Sequence, residues 1–187
     1  MDPDGRYFKK VIRKNTITIK ATYYVKKHDK KSYRSAHLAT EFWNNRQDLY
    51  ISTSGKQYVV NYELTVSETD IFYSNDLNNV DTFKRNNNTY EVVKSFETQG
   101  RAGSSTNKHS IQVLESYSET RPGTDTPSTT GAHEIGHTLG MSDGGVGIMS
   151  PSQDDSRTND VTQENLQQMI DCDKGDPDWF SSFFPIK

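Results

Sequence analysis

The sequence predicts an α+β fold in which a twisted mixed sheet of about four to five strands packs against at least two helices. In the first part of the chain, at about 1–126, β-branched and aromatic residues alternate with polar ones, which is the period of a half-buried strand. In the second part, at about 127–187, apolar residues recur at the three- and four-residue spacing of helices. We expect the 187 residues to form one domain, because this length suits a single hydrophobic core.

The individual elements follow from this periodicity and from the turn residues between the periodic segments. Alternation predicts strands at 16–26, 49–53, 58–66, 90–96 and 110–115. Helical spacing predicts helices at 32–46, 129–141 and 162–172. Ser32 and Thr162 are the expected N-caps of the first and last of these helices. The Asn-rich segment 75–88 and the polar segment 121–130 are expected to be loops, and the aromatic tail 179–186 is expected to pack back onto the domain.

Composition excludes several classes of protein. The 22 Lys and Arg residues against 25 Asp and Glu give a net charge of −3, which argues against a nucleic-acid-binding protein. No apolar run approaches the roughly 20 residues that a membrane-spanning helix needs. The single cysteine, Cys172, excludes an intramolecular disulfide and a Cys-rich zinc module. Ten Tyr, eight Phe and two Trp residues argue against a disordered chain.

The motif His-Glu-Ile-Gly-His, which begins at His133, carries the chemistry of this sequence. His133 and His137 are four residues apart, so on a helix both imidazoles can reach one metal ion. Glu134 lies beside that ion rather than on it, where a general base for a water molecule belongs. Gly140 is expected to end the helix and turn the chain, so that Asp143 returns as an oxygen ligand. Three protein ligands and one open position are typical of a catalytic rather than a structural zinc ion.

A methionine follows the motif in the turn 147–151, where its soft side chain can form an apolar floor beneath the metal ligands. The motif and this turn resemble the metzincin clan of zinc endopeptidases, whose pattern is H-E-x-x-H-x-x-G-x-x-H followed by a Met-turn. The resemblance is sharp over about 128–151, and Asp143 stands where the clan has its last histidine. The small snapalysin-like secreted proteases are similar in having Asp at that position. The matching residues are His133, Glu134, His137, Gly140 and Met149.

This resemblance implies a metzincin-like fold and a zinc-dependent endopeptidase with one catalytic Zn²⁺ ion. His133, His137 and Asp143 would then hold the zinc ion, and Glu134 would serve as the general base. The resemblance also implies that an edge strand of the sheet binds the substrate peptide in extended form by β-augmentation. A mobile loop is the alternative interpretation of the residues that we assign to this edge. The assigned residues are Gly100, Arg101, Ala102 and Gly103.

The sequence leaves the metal and the biological role open. Mixed nitrogen and oxygen ligands also accept Mn, Co, Ni or Fe. A non-enzymatic module, in which a metal ion merely stabilises a binding surface, is the alternative to an enzyme. The segment Asp-Pro-Asp-Gly-Arg at 2–6 is similar to the Asp-Pro-x-Gly junction at which Rhs-type polymorphic toxins release an effector domain, although a simple turn explains it equally well.

These alternatives lead to different expectations about partners and location. The toxin resemblance implies a delivered antibacterial domain with an immunity or inhibitor protein as its partner, whereas the other option is a secreted scavenging protease. In either case we expect a monomer that acts on a peptide or protein substrate outside the producing cell. The N-terminus lacks the pattern of a signal peptide, which still allows the domain to be a piece excised from a larger secreted precursor.

Overall fold

A computed structural model describes residues 8–96, 103–106, 109–144, 146–151 and 157–172 of the chain. Within these ranges the fold is α+β, with four α-helices and a curled mixed sheet of seven strands. The strands are β1 Lys9–Arg13, β2 Thr16–Lys26, β3 Gln47–Ile51, β4 Gln57–Thr69, β5 Asn88–Val93, β6 Gly103–Thr106 and β7 Ser110–Leu114. The helices are α1 Lys30–Asn44, α2 Leu77–Asn86, α3 Thr130–Thr138 and α4 Gln163–Asp171.

The sheet is built around β2, the central strand. The strand order is β3-β4-β2-β5-β7-β6, and β1 pairs with β2 outside this path. β2 runs parallel to β4 over its whole length and parallel to β5 at Tyr23 and Tyr24. β5 is parallel to β7, whereas the two outermost strands, β3 and β6, are antiparallel to their neighbours.

One face of β2 forms the centre of the hydrophobic core. Its alternate residues from Ile17 to Val25 are buried, as the two-residue period of the sequence predicts. α1 and α3 are in contact with each other, and α1 also packs on the sheet. The fully buried Trp43 of α1 donates a hydrogen bond from its indole nitrogen to the carbonyl oxygen of Ala132 in α3, at 3.0 Å. The sheet and α1 therefore fix the position of α3, which carries the histidine motif.

Of the two predicted N-caps, one is confirmed by the structure and one is corrected. Thr162 caps α4, and its side chain forms a capping box with Asn165. Ser32 does not cap α1, because the helix begins at Lys30 and Asp29 is the N-cap. The Asp29 carboxylate accepts hydrogen bonds from both the backbone N–H and the hydroxyl group of Ser32. A carboxylate three residues before the predicted serine cap thus extends the helix by its first turn.

The segment 75–88 was expected to be a loop, and this prediction is wrong, because it contains α2. Asp76 caps this helix by accepting hydrogen bonds from the backbone of Asn78 and Asn79. Phe83 anchors the helix to the sheet, with its ring centroid 5.1 Å from that of Tyr24 on β2. This N-cap and the aromatic contact together outweigh the weak helix propensity of the asparagines.

The five predicted strands are present, with shifts of a few residues at their ends. The sheet has seven strands rather than four to five because β1 and β6 add to them. β1 was missed because its sequence, Lys-Lys-Val-Ile-Arg, does not alternate, and its pairing with β2 determines its conformation. The predicted contact of the tail 179–186 with the domain lies outside the described residues. No described helix combines the length and apolar character that a membrane crossing requires.

Candidate metal centre

The metal-binding motif lies on α3 and on the turn that ends this helix. Gly140 has a φ angle of 98°, a left-handed conformation that glycine adopts without steric cost. Its N–H donates to the carbonyl oxygen of His137, and the N–H of Met141 donates to that of Gly136, both at 3.0 Å. These two bonds form a Schellman motif, as expected for a helix that ends at glycine. The chain therefore reverses after Gly140 and brings Asp143 back towards the helix.

The structure brings together the three side chains that the sequence identifies as ligands. The Nε2 atoms of His133 and His137 are 3.1 Å apart. Oδ1 of Asp143 lies 3.3 Å from Nε2 of His133 and 3.4 Å from Nε2 of His137. Donor atoms that each lie about 2.0–2.1 Å from a tetrahedral metal ion are about 3.3–3.4 Å apart. The triangle of donor atoms is therefore positioned to bind one metal ion.

The opposite ring nitrogens fix the tautomer of both imidazoles. Nδ1 of His133 is 2.9 Å from the carbonyl oxygen of Ile148, and Nδ1 of His137 is 3.0 Å from that of Met141. A carbonyl oxygen can only accept a hydrogen bond, so each Nδ1 carries the proton. In a neutral imidazole this leaves the lone pair on Nε2, the atom that faces Asp143. Both rings are thus oriented as metal ligands by hydrogen bonds to the backbone.

Burial also favours the ligand form of the first histidine. The side chain of His133 is buried, whereas that of Asp143 is half-exposed. Burial and the nearby positive charge of Arg157 lower the pKa of His133 to about 4. The ring is therefore neutral at physiological pH and can donate its lone pair to a metal ion. Because Asp143 faces solvent, the metal position is open to water on that side.

Met149 lies where the sequence predicts a floor beneath the ligands. Its side chain is fully buried, and its sulfur packs on the backbone of Gly136, between the two histidines of α3. The turn is closed by a 3.1 Å hydrogen bond from the N–H of Ser150 to the carbonyl oxygen of Gly147. Ile148, which precedes Met149 in this turn, supplies the carbonyl oxygen that orients His133. The Met-turn therefore contacts α3 through both a side chain and a backbone hydrogen bond.

Glu134 lies beside the ligands and faces the edge strand β6. Its side chain is buried. A Cβ atom added to Gly103, the first residue of β6, would be 2.5 Å from Oε1 of Glu134. The backbone of the edge strand thus passes directly against the carboxyl group. Of the residues assigned to the substrate edge, Gly103 is in this strand, and Gly100, Arg101 and Ala102 lie outside the described residues.

Arg157 is part of the site but is not marked by any sequence motif. Its side chain is buried, and Nε donates to the carbonyl oxygen of Ser150 at 2.8 Å. Nη2 also lies 3.3 Å from the carbonyl oxygen of Pro151. Two carbonyl groups at the end of the Met-turn therefore bind one guanidinium group. The sequence gives only a weak signal for this role. Arginine side chains are usually exposed, so an arginine a few residues after the Met-turn is not expected to be buried in the site.

Comparisons with protein-family models, with curated proteins and with solved structures found no match to this chain. The function must therefore be inferred from the side chains of the site and from their geometry.

Proposed function

We propose that this protein is a zinc-dependent endopeptidase. The convergence of His133, His137 and Asp143 on one position is the observation that carries the proposal. When bound there, zinc would polarise the scissile carbonyl group and acidify a water molecule. The half-exposed Asp143 side chain leaves room for that water and for the substrate. Because the described residues offer three ligands rather than four, the donor set is that of a catalytic site.

The two distances to Asp143 support the proposal of zinc rather than iron, whereas the spacing of the two histidines does not distinguish the two metals. Two histidines and one carboxylate also form the facial triad of non-haem iron enzymes, which is part of an octahedron. Adjacent donors in an octahedron are about 3.0 Å apart at similar bond lengths, against about 3.3–3.4 Å in a tetrahedron. Both distances to Asp143, 3.3 and 3.4 Å, agree with the tetrahedral value. The spacing of the two histidines, 3.1 Å, lies between the two values.

Glu134 is suited to the role of general base. It follows His133 by one residue on α3, so its carboxyl group lies beside the ligands rather than among them. Its side chain is buried against β6, which holds the carboxyl group close to one position. In the proposed reaction the Glu134 carboxylate accepts a proton from the attacking water and passes it to the leaving amine.

The two edges of the sheet differ in a way that favours a peptide substrate at β6. At the β3 edge the side-chain amide of Gln163 accepts a hydrogen bond from the N–H of Ile51 at 3.0 Å and donates one to the carbonyl oxygen of Leu49. The side-chain amide of Gln163 thus forms the hydrogen bonds that a further strand would form with β3. β6 is the other outermost strand, and it lies against Glu134. An extended peptide added to β6 would therefore pass close to the proposed base.

The experiment combines metal analysis with peptide cleavage. The purified protein is expected to contain one zinc ion and to cleave members of a peptide library. The Glu134→Gln variant is expected to keep zinc and to lose activity by about 100-fold or more, because general-base catalysis is worth that much. Asp143→Ala is expected to lower zinc affinity as well. Glu41→Gln, at an exposed position of α1, is the matched control and should behave like the parent.

Two results would contradict the proposal. If Glu134→Gln retains the parental rate, Glu134 is not the base. Alternatively, the parent protein could bind zinc, unfold at a higher temperature with zinc, and cleave no peptide in the library. That second result would support the non-enzymatic module, in which the metal ion only ties α3 to the turn that carries Asp143.

A further inference from the structure

The contact between Gly103 and α3 shows how the proposed base is held in place. A Cβ atom at Gly103 would lie 2.5 Å from Oε1 and 2.8 Å from Cγ of Glu134, and 2.8 Å from Cγ2 of Thr130. Real Cβ atoms essentially never approach other atoms so closely. The backbone of Gly103 has an ordinary φ angle, so the position requires glycine for space rather than for conformation. Thr130 and Glu134 are one helical turn apart, and Gly103 packs between them.

The strand cannot easily move away from the helix to make room for a side chain. β6 is paired with β7, where Gly103 is opposite the fully buried Val113. β7 is in turn paired with β5, whose Tyr90 hydroxyl lies against Gly131 of α3, so that a Cβ atom there would be 2.3 Å from it. The close contacts at Gly103 and at Gly131 thus hold β6 and β5 against α3. The Glu134 side chain is the most movable of the groups that meet at Gly103.

We propose that Gly103 is a positioning residue that sets the location of the Glu134 carboxyl group; the inference rests on the proposed function. Any side chain at Gly103 displaces this carboxyl group from its place beside the ligands. The three atoms nearest to a Cβ atom at Gly103 belong to Glu134 and Thr130, and none of them belongs to a metal ligand. The structure therefore separates two properties, with the position of the base set by β6 and the metal affinity set by α3 and the Met-turn.

The test is the Gly103→Ala substitution in the full-length protein, measured for peptide cleavage and for zinc affinity. We expect kcat to fall by about 10- to 100-fold, because a displacement of about 1 Å in a reacting group can cost a factor of that size. KM and zinc affinity are expected to stay within about threefold of the parental values, since a metal ligand is not moved. Gln112→Ala on the neighbouring β7 is the control and should retain the parental kcat.

A double-mutant cycle shows whether Gly103 acts through Glu134. In a Glu134→Ala background the carboxyl group is absent, so Gly103→Ala is expected to cause no further loss of residual activity. The same background removes two of the three close contacts, so Gly103→Ala is also expected to lower the unfolding temperature less than it does in the parent. The second measurement needs no enzymatic activity.

The outcomes distinguish this inference from the proposed function. If Gly103→Ala keeps the parental kcat while Glu134→Gln is inactive, Gly103 does not position the base but the endopeptidase proposal stands. If kcat and zinc affinity fall in parallel, Gly103 has a general structural role and the inference is wrong. If the parent protein cleaves no peptide, the proposed function fails. In that case, equal losses of unfolding temperature in the two backgrounds would also overturn the contact with Glu134.

Discussion

The substitution Gly136→Ala tests whether the Met-turn supports the metal ligands. Gly136 lies between His133 and His137 on α3, and a Cβ atom there would be 2.4 Å from the sulfur of Met149 and 3.2 Å from its methyl carbon. Ordinary contacts between such atoms are about 3.5–4.0 Å, so the sulfur would have to move by roughly 1 Å. Met149 is fully buried, and its side chain cannot swing into solvent.

Two opposing terms decide the effect of Gly136→Ala on stability. Alanine in the interior of a helix is favoured over glycine by about 0.8–1.0 kcal/mol. Inserting a methyl group into a packed core costs about 1–3 kcal/mol. We therefore expect a net loss in the free energy of unfolding of up to about 2 kcal/mol. Displacement of the Met-turn also moves the carbonyl oxygen of Ile148 away from Nδ1 of His133, which should weaken zinc binding by about 10- to 100-fold.

The free energy of unfolding is measured by denaturant unfolding of the protein in the presence of a chelator. Zinc affinity is measured by titration against a competing chelator. Gly144→Ala is the matched control, because a Cβ atom there meets no atom within 4 Å and the φ angle is not left-handed. This control is expected to gain about 0.4–1 kcal/mol or to stay neutral. A Gly136→Ala protein as stable as the parent, with parental zinc affinity, would refute the role assigned to Met149.

Two further substitutions test the surroundings of the site. Arg157→Met removes the charged hydrogen bond to Ser150, so it should lower the free energy of unfolding by about 1.5–3 kcal/mol in denaturant unfolding. Arg157→Lys is its control, and parental values for Arg157→Met would contradict the role. Gln163→Ala exposes the N–H of Ile51 and the carbonyl oxygen of Leu49 at the β3 edge. It should cost about 1 kcal/mol and increase self-association in light scattering, and parental stability with parental light scattering would contradict the role of Gln163 at this edge.

The sequence predicted those parts of the fold that depend on local periodicity. β2 alternates over eleven residues, and the structure confirms it at the predicted bounds. By contrast, β1 is a strand because it pairs with β2, and α2 is a helix because Phe83 packs against Tyr24 and Phe72. β1 was missed although its partner lies in the same hairpin, because its own residues do not alternate, and α2 depends on a contact between Phe83 and Tyr24, which are far apart in the sequence.

The candidate site likewise combines features that the sequence could predict with contacts that it could not. The grouping of His133, His137 and Asp143 could be predicted, because a helix and one glycine turn determine it within eleven residues. The hydrogen-bond acceptor of His133, the carbonyl oxygen of Ile148, is fifteen residues away and carries no side-chain signal. The contact of Gly103 with Glu134 depends on the pairing of β6 with β7 and is equally invisible in the sequence.

The electrostatics of the donor triangle explain why the fold must hold it so firmly. Each Nε2 lone pair of His133 and His137 faces the other at 3.1 Å, and both face the Asp143 carboxylate. Without a cation the two lone pairs and the carboxylate repel one another, since the imidazole protons are held on Nδ1 by backbone carbonyls. The Schellman turn at Gly140 and the Met-turn beneath α3 oppose that repulsion. A cation converts the repulsion into attraction, so binding should stabilise the turns that form the site and couple metal affinity to folding.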